Sequence, residues 1–246
     1  MIIHADVLQG SEQWHALRLG KPTASAFDKI VTPKKCDLSA ASHAYALRLV
    51  SERLLNMPTA MNGGDFSGPW MERGKELEPD AVRMYEWQYE VKTFPVGFIT
   101  TDDGRIGCSP DRLVLGGKIG LEIKCPSPQV HLGYLLDGMD EAYKPQVQGQ
   151  ILVAELDRAE LFAYHPQCPP AHIVTKADDD YQAKLSAALL KFVDVLDEME
   201  ERAIAIGAFQ PIARATTPVE TIELAAINKA FQAETAMKMQ KEGFTA

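Results

Sequence analysis

The sequence predicts an α/β (α+β) fold in which a mixed central sheet is flanked by helices. Segments with apolar residues at helical spacing alternate with short apolar runs bounded by Gly and Pro. Helices come first, several strands follow in succession, and then a helix, two more strands and further helices complete the order, which favours a covered mixed sheet. The chain has 246 residues, 46% of them hydrophobic and 24% charged, and this suits one sizeable domain with a proper core.

Apolar periodicity and turn residues predict the individual elements in chain order. Helices are predicted from about residue 26 and over residues 41–56, 70–89, 143–156, 178–206 and 219–241. Strands are predicted over residues 94–100, 105–108, 111–115, 119–125, 159–164 and 172–176. Pro145 is tolerated in the first turn of its helix, Asp178 is a plausible helix cap, and a Gly- and Pro-containing loop occupies residues 62–69. We expect a single domain over residues 1–246 with a C-terminal helical extension at about 212–246.

Composition bears on where the protein acts. The first residues lack the basic start and the long apolar stretch of a signal peptide, and no apolar run approaches the ~20 residues that span a bilayer. The four cysteines show no C-x-x-C spacing, so neither a zinc site nor a disulfide framework is favoured. We therefore expect a protein of a reducing cytoplasm that has no membrane partner.

The charge balance gives no evidence for a nucleic-acid partner. The formal net charge is −9, which by itself argues against binding to phosphate backbones. Residues 1–60 nevertheless carry seven Lys and Arg against five Asp and Glu, so a small basic excess lies in the amino-terminal part. An acidic exterior with a local basic groove is compatible with DNA binding.

The segment from Asp111 to Lys124 carries the strongest chemical signal. Gly116 and Gly117 separate two short apolar runs, which predicts a β-hairpin. In that hairpin Asp111 comes level with the far end of the second strand, where alternation of side chains between faces places Glu122 and Lys124 together. Two carboxylates and an ammonium group beside apolar neighbours destabilise a fold unless something compensates for their charges.

A divalent cation held by the two carboxylates is the natural compensation. Lys124 would then lie beside the bound water or a scissile phosphate, and this combination is nuclease chemistry. The alternative is a solvated strand face with weak ion pairs, which is the usual explanation for Glu-x-Lys alone. The preceding Ser109-Pro110-Asp111, the hairpin and its apolar flanks favour the metal site.

A second candidate site lies before the first predicted helix. Arg18 shortly precedes Thr23-Ala24-Ser25 and the predicted helix start at Ala26. A guanidinium group supplies a planar fork of donors, and the free amides of a helix start favour anions, so this segment is typical of a phosphate site. The alternative is a helix cap at Ser25 and a surface cation at Arg18.

Five separated motifs together resemble a known family. They are Trp14-His15-x-Leu17-Arg18-Leu19-Gly20-x-x-Thr23-Ala24-Ser25, Gly74-Lys75-x-x-Glu78, Cys108-Ser109-Pro110-Asp111, Gly120-Leu121-Glu122-x-Lys124-Cys125-Pro126 and Gln146-Val147-Gln148. Over roughly residues 12–208 the chain resembles the phage lambda exonuclease family of viral recombination nucleases, within the restriction-endonuclease-like superfamily. The resemblance implies the mixed sheet and flanking helices of that superfamily.

The resemblance also implies an activity and its partners. It implies a Mg²⁺-dependent 5′-to-3′ exonuclease, with Mn²⁺ as a substitute metal, that acts on the ends of linear double-stranded DNA. Such an enzyme releases mononucleotides and leaves 3′ overhangs for recombination by annealing. The family's typical assembly is a homotrimeric ring, the expected partner is a single-strand-annealing protein, and the expected location is the cytoplasm of a bacterial host cell.

Position by position, the resemblance assigns roles to individual residues. Asp111 and Glu122 match the metal ligands, joined by the backbone carbonyl of Ile123. Glu78 matches an acidic residue that helps to complete the metal site from the neighbouring helix, and Lys124 resembles the lysine that orients or activates the attacking water. The residues that match the binding site of the 5′-terminal phosphate are Arg18, Ser25, Ser109 and Gln148. Gln148 shares its predicted helix with Gln146, and a solvated polar position is the alternative for either.

Two rival functions remain open from the sequence. One is another nuclease of the same superfamily, such as an endonuclease or a Cas4-like enzyme, although an iron–sulfur version of the latter needs clustered cysteines. Cys36, Cys108, Cys125 and Cys168 are scattered instead. The other is a non-catalytic protein that binds DNA ends, and the complete set of Asp111, Glu122 and Lys124 argues against it.

Overall fold

The structure, a computed structural model, describes residues 1–58 and 69–208, apart from the side chains of residues 69–72. The helices are α1 (Glu12–Arg18), α2 (Ser42–Leu55), α3 (Pro69–Tyr89), α4 (Pro128–Leu136), α5 (Lys144–Val153) and α6 (Asp179–Ala205). The strands are β1 (Ile2–His4), β2 (Thr93–Pro95), β3 (Phe98–Thr100), β4 (Gly107–Cys108), β5 (Arg112–Val114), β6 (Ile119–Lys124), β7 (Arg158–Ala163) and β8 (Ala171–Lys176). The predicted helix over 219–241 and the extension at 212–246 lie outside the described residues.

A five-stranded mixed sheet forms the centre of the fold, in the order β2-β5-β6-β7-β8. Strands β6 and β7 are parallel, whereas every other neighbouring pair is antiparallel. Strands β1, β3 and β4 form a second, smaller sheet in the order β1-β3-β4. The predicted mixed sheet with flanking helices is therefore confirmed.

Strand β6 divides its side chains between two helices. Leu121 and Ile123 are buried in an apolar cluster with Ala81 and Tyr85 of α3. Since neighbouring side chains of a strand point to opposite faces, Glu122 and Lys124 point away from that cluster. One face of β6 thus stabilises the fold through apolar packing, while the other face carries the charged side chains of Glu122 and Lys124.

The long helix α6 begins and packs as its pattern predicts. The side chain of Asp178 accepts a hydrogen bond from the backbone N–H of Tyr181, at 3.1 Å, so the predicted cap is confirmed. Leu185 and Leu189 are buried against Leu49 and other core side chains of α2. Helix α6 extends over 27 residues, but no helix in the described part of the chain is long and apolar enough to cross a bilayer.

The predicted strand over residues 94–100 is in fact two strands in different sheets. Thr93–Pro95 pairs with β5, whereas Phe98–Thr100 pairs with β1 and β4. Pro95 lacks a backbone donor and interrupts the ladder. At Gly97 an added Cβ would lie 1.9 Å from the carbonyl oxygen of Val7, so the chain crosses between the sheets where only glycine fits.

Several helical predictions also need correction. The segment that begins near Ala26 is a 3₁₀ segment, Ala24–Lys29, in which Ala26 itself is non-helical with φ −126°. The sequence did not predict β1, α1 or α4. Helix α1 has only seven residues and buries none of them, and α4 buries only His131, so neither shows the one-sided apolar pattern from which helices are recognised.

A buried carboxylate on β7 is held by three donors on the α3 face of the sheet. Glu160 accepts hydrogen bonds from Tyr85, Arg158 and His172, each at 2.7 Å. Burial alone would raise the pKa of Glu160, but hydrogen bonds from His172, Tyr85 and Arg158 lower it to about 2. The charged form of Glu160 therefore connects α3 to strands β7 and β8.

We expect Glu160→Gln to lower the free energy of unfolding at pH 7 by about 2–3 kcal/mol, because charged hydrogen bonds to a buried carboxylate are lost. The pKa of Glu160 is depressed in the fold, so its stabilisation is present above its ordinary value of 4.5 and disappears as the pH falls towards about 2. Urea denaturation between pH 7 and pH 2.5 measures this, with the exposed Glu198→Gln as control. A variant whose stability matches the wild type at pH 7 would contradict the role of the network.

Candidate active site

The predicted hairpin brings Asp111 level with Glu122 of β6. Strands β5 and β6 pair antiparallel with Arg112 opposite Leu121, so the residue before β5 reaches the middle of β6. Asp111 Oδ2 accepts a hydrogen bond of 2.8 Å from the backbone N–H of Ile123. This bond fixes the Asp111 carboxylate beside the two polar residues that flank Ile123.

Glu122 and Lys124 lie together on the face of β6 that is turned towards α5. Lys124 Nζ donates to Glu122 Oε1 at 2.7 Å. The other carboxylate oxygen, Oε2, accepts a hydrogen bond of 3.2 Å from the side-chain amide of Gln150 on α5. Gln150 is only 3% exposed, so this buried amide restricts the position of the Glu122 carboxylate.

Burial and the neighbouring charges of this cluster disfavour the ionised form of Asp111. Burial, together with the neighbouring charge of Glu122, raises the pKa of Asp111 well above its ordinary value. Burial opposes the charge of Lys124, but Glu122 and Asp111 raise the pKa of this lysine. Lys124 therefore stays protonated beside two carboxylates that repel each other, and a second positive charge at Asp111 would relieve this repulsion.

The donor set at this cluster fits a magnesium ion. Mg²⁺ prefers hard oxygen ligands and is commonly bound by one or two carboxylates while it keeps several waters. Asp111 and Glu122 supply two carboxylates at one end of the sheet. Among the side chains of residues 1–58 and 73–208, however, no three His, Cys, Asp or Glu are grouped closely enough to hold a metal ion.

Glu78, the predicted third acidic residue, is therefore near Asp111 and Glu122 but does not form a three-carboxylate site with them. Glu78 is exposed on α3, and its charge contributes to the raised pKa of Asp111. One turn earlier, Gly74 packs at the end of β6, where an added Cβ would lie 3.8 Å from the carbonyl oxygen of Cys125. Helix α3 thus carries Glu78 close to the hairpin, without a three-carboxylate arrangement.

Three of the four predicted phosphate residues meet around Arg18. The guanidinium group donates through Nη1 to Ser109 Oγ at 3.1 Å and through Nη2 to Ser25 Oγ at 3.2 Å. Nη2 also donates to Thr23 Oγ1 at 3.1 Å. Arg18 is the last residue of α1, and Ser109 follows β4. Thr23 directly precedes the 3₁₀ segment and Ser25 lies within it, so three separate segments form one pocket.

This pocket presents a cation without a counter-ion from the described part of the chain. Arg18 stacks on the ring of Trp14, with the guanidinium carbon 4.1 Å from the ring centroid. Burial lowers the pKa of Arg18. The hydrogen-bonding partners of the guanidinium are neutral hydroxyl groups, and no described carboxylate lies within ion-pair distance of it. Such a pocket is suited to an anion.

The fourth predicted residue, Gln148, is not brought to this pocket. Its amide donates to the carbonyl of Lys176 at 2.9 Å and accepts from the backbone N–H of Asp178 at 3.0 Å. Gln148 is 2% exposed and connects α5 to the junction of β8 and α6. The side-chain amide of Gln148 is thus engaged within the fold and does not contact Arg18, and its assignment to the phosphate site stays a prediction.

Helical spacing explains which glutamines of α5 face the cluster instead. Gln146 and Gln150 are four residues apart and share one face of α5, whereas Gln148 lies on the opposite side. Gln146 and Gln150 line a cleft together with Glu122, Lys124 and Tyr143. The sequence assigned no individual role to Gln150 or Trp14, although the Gln146-x-x-x-Gln150 spacing places both glutamines on one face of a helix.

Comparisons with known proteins identify the family to which this chain belongs. Residues 13–157 match the model of a YqaJ-like viral recombinase domain. An alkaline exonuclease from Laribacter hongkongensis, LHK-Exo, has a similar structure with a TM-score of 0.69 and 27% identity, over 80% of this chain and 98% of the other. The same protein in complex with dAMP matches equally well.

A more distant structure supports the fold alone. A phage-related exonuclease from Haemophilus somnus matches with a TM-score of 0.51 and 17% identity, over 73% of this chain and 96% of the other. No curated protein matches the sequence. The matched family model covers more than half of the chain, including all five motifs, and it confirms the resemblance to the lambda exonuclease family. The chain belongs to the YqaJ-like viral recombinase family and is a nuclease of that family.

Proposed function

We propose that the protein is a Mg²⁺-dependent 5′-to-3′ exonuclease that acts on linear double-stranded DNA and releases mononucleotides. The observation that carries this proposal is the pairing of two sites. The Asp111–Glu122–Lys124 cluster can hydrolyse a phosphodiester, and the Arg18 pocket suits a terminal phosphate. Ser109 and Asp111, two residues apart, connect the sites along the chain. The dAMP bound by LHK-Exo belongs to the class of product that such hydrolysis releases.

The residues of the cluster have different proposed roles. Asp111 and Glu122, with the carbonyl of Ile123 and with Glu78 nearby, would hold the metal. A Mg²⁺ ion held there, or Mn²⁺ in its place, would supply Lewis-acid chemistry: it would polarise a phosphate and lower the pKa of the attacking water. Lys124 orients the attacking water and stabilises negative charge on the phosphate, since its ammonium group stays protonated. Gln150 keeps Glu122 in position.

The direction of digestion follows from the end that the pocket accepts. A 5′-terminal phosphate carries up to two negative charges and several acceptor oxygens, which the guanidinium of Arg18 and the hydroxyls of Ser25 and Ser109 can bind. An internal phosphodiester carries a single charge and continues in both directions. Binding of the terminal phosphate therefore selects 5′ ends and leaves a 3′ overhang.

Labelled duplexes test this proposal. One linear duplex carries a label near the 5′ end of a 5′-phosphorylated strand, and a second carries the label near the 3′ end of the same strand. We expect Mg²⁺-dependent release of labelled mononucleotides first from the label near the 5′ end, and no release in EDTA. Earlier release of the label near the 3′ end would reverse the proposed polarity, and release of oligonucleotides would point to endonuclease activity.

We further propose a single nuclease domain that assembles as a homotrimeric ring in the bacterial host cytoplasm and works with a single-strand-annealing protein. A closed ring keeps an acidic subunit on its duplex between cleavages, because the DNA cannot leave sideways. The family assignment as a viral recombinase supports a partner that anneals the 3′ overhangs. The segment over 212–246, which carries apolar residues at helical spacing, is a candidate for contacts between subunits.

Light scattering on the full chain and on a chain truncated after residue 210 tests the assembly. We expect a mass of about three subunits for the full chain, and a smaller assembly after truncation if the segment joins the subunits. A monomeric full chain would contradict the ring. An unchanged trimer after truncation would remove the C-terminal segment from the assembly.

A further inference from the structure

Trp14 makes two polar contacts at the edge of the Arg18 pocket. Its indole N–H lies 3.1 Å from Ser109 Oγ and 3.0 Å from the carbonyl oxygen of Gly97, and it donates to both. The face of the same indole packs under the Arg18 guanidinium at 4.1 Å. One side chain therefore contacts both the cation of the pocket and one of its hydroxyl groups.

The contacts of Ser109 leave its hydroxyl group able to act only as a donor towards a further partner. A hydroxyl group has one donor and two acceptor positions. Ser109 Oγ accepts from the indole N–H of Trp14 at 3.1 Å and from Nη1 of Arg18 at 3.1 Å, so both acceptor positions are filled by groups that can only donate. The hydroxyl proton of Ser109 is then left to donate to a third group.

We propose that Trp14 is a positioning residue that fixes Ser109 as a hydrogen-bond donor towards the 5′-terminal phosphate. This inference rests on the proposed function, because it deepens the specificity of the same pocket. A free serine hydroxyl rotates and serves as donor or acceptor, whereas an anion needs donors only. Trp14 removes that freedom before the DNA end arrives, which reduces the ordering cost of binding.

The two contacts of Trp14 are separable by substitution. Trp14→Phe keeps an aromatic face under Arg18 but removes the N–H that Ser109 and Gly97 accept. Ser109→Ala removes the donor itself. If Trp14 acts through Ser109, the two losses overlap, and the double variant is no worse than the worse single variant. The matched control is Trp87→Phe on α3, since Trp87 is 77% exposed and lies on a different surface.

Steady-state digestion of duplexes with 5′-phosphate or 5′-hydroxyl ends tests the proposal. We expect Trp14→Phe and Ser109→Ala each to lower kcat/KM on phosphorylated ends by about tenfold, as expected for one charge-assisted hydrogen bond. We expect the rates on hydroxyl ends to change by less than about twofold, and Trp87→Phe to behave as the wild type. The double variant should show the same loss of about tenfold as the single variants.

The outcomes distinguish this inference from the proposed function. Losses that multiply in the double variant, or equal losses on both kinds of end, would overturn the positioning role of Trp14. A wild-type protein that digests both kinds of end at one rate would instead contradict the phosphate pocket itself, and the inference with it. If Trp14→Phe does not fold, as judged by its melting temperature, benzothienylalanine at position 14 keeps both rings, lacks only the N–H and gives the same readout.

Discussion

Asp111→Ala, Glu122→Ala and Lys124→Ala are each expected to abolish cleavage while duplex binding stays largely intact. Asp111 is hydrogen-bonded to β6 between Glu122 and Lys124. Since we propose that these three side chains act as a unit around a metal, each single loss should cost on the order of 10³-fold or more. Removal of two or three of them should cost little more than one. Binding should persist because phosphate contacts elsewhere supply most of the affinity for DNA.

The measurement is the release of acid-soluble nucleotides in Mg²⁺, beside a binding assay in Ca²⁺. Lys118→Ala is the matched control for the lysine, because Lys118 is exposed on the same hairpin, and Glu198→Ala on α6 is the control for the acids. Near-normal turnover in any one of the three variants would remove that residue from the mechanism. Loss of binding together with cleavage would indicate that the hairpin has unfolded.

A second large effect is expected from the chemical group at the 5′ end of the DNA. Wild-type protein is expected to digest 5′-phosphorylated ends much faster than 5′-hydroxyl ends, and Arg18→Ala is expected to erase the difference. Loss of a charge-assisted contact with two donors should cost about 1.5–3 kcal/mol, or roughly 10- to 150-fold in rate. Initial rates on the two substrates measure this directly.

Arg202→Ala is the control for the loss of a positive charge, because Arg202 is exposed in the last turn of α6. It should retain the full preference for phosphorylated ends. If Arg18→Ala keeps that preference, Arg18 is a packing cation on Trp14 and the phosphate is bound elsewhere.

Local patterns predicted the parts of the site that are local in sequence. The Gly116-Gly117 turn sets the register of β5 and β6, and alternation along β6 separates Glu122 and Lys124 from Leu121 and Ile123. The long amphipathic helices α3 and α6 were equally predictable, because each carries apolar residues along one face of the helix. These features depend on neighbours within about a dozen residues.

Contacts between distant segments were not predictable from patterns of this kind. Ser109 meets Arg18 across 91 positions of the chain, and only the family resemblance placed them in one pocket. Gln148 and Gln150 differ by two positions, yet one connects β8 to α6 and the other holds Glu122. Which of them faces the cluster depends on how α5 is rotated against the sheet, and tertiary packing decides that rotation.

The most direct test of the central claim compares a linear duplex with the same duplex as a covalently closed circle, in Mg²⁺ and in EDTA. An exonuclease that needs a 5′ end should degrade the linear form to mononucleotides in Mg²⁺ and should leave the closed circle intact. Neither form should be degraded in EDTA. Cleavage of the closed circle at the rate of the linear duplex, or no Mg²⁺-dependent hydrolysis of either form, would contradict the account.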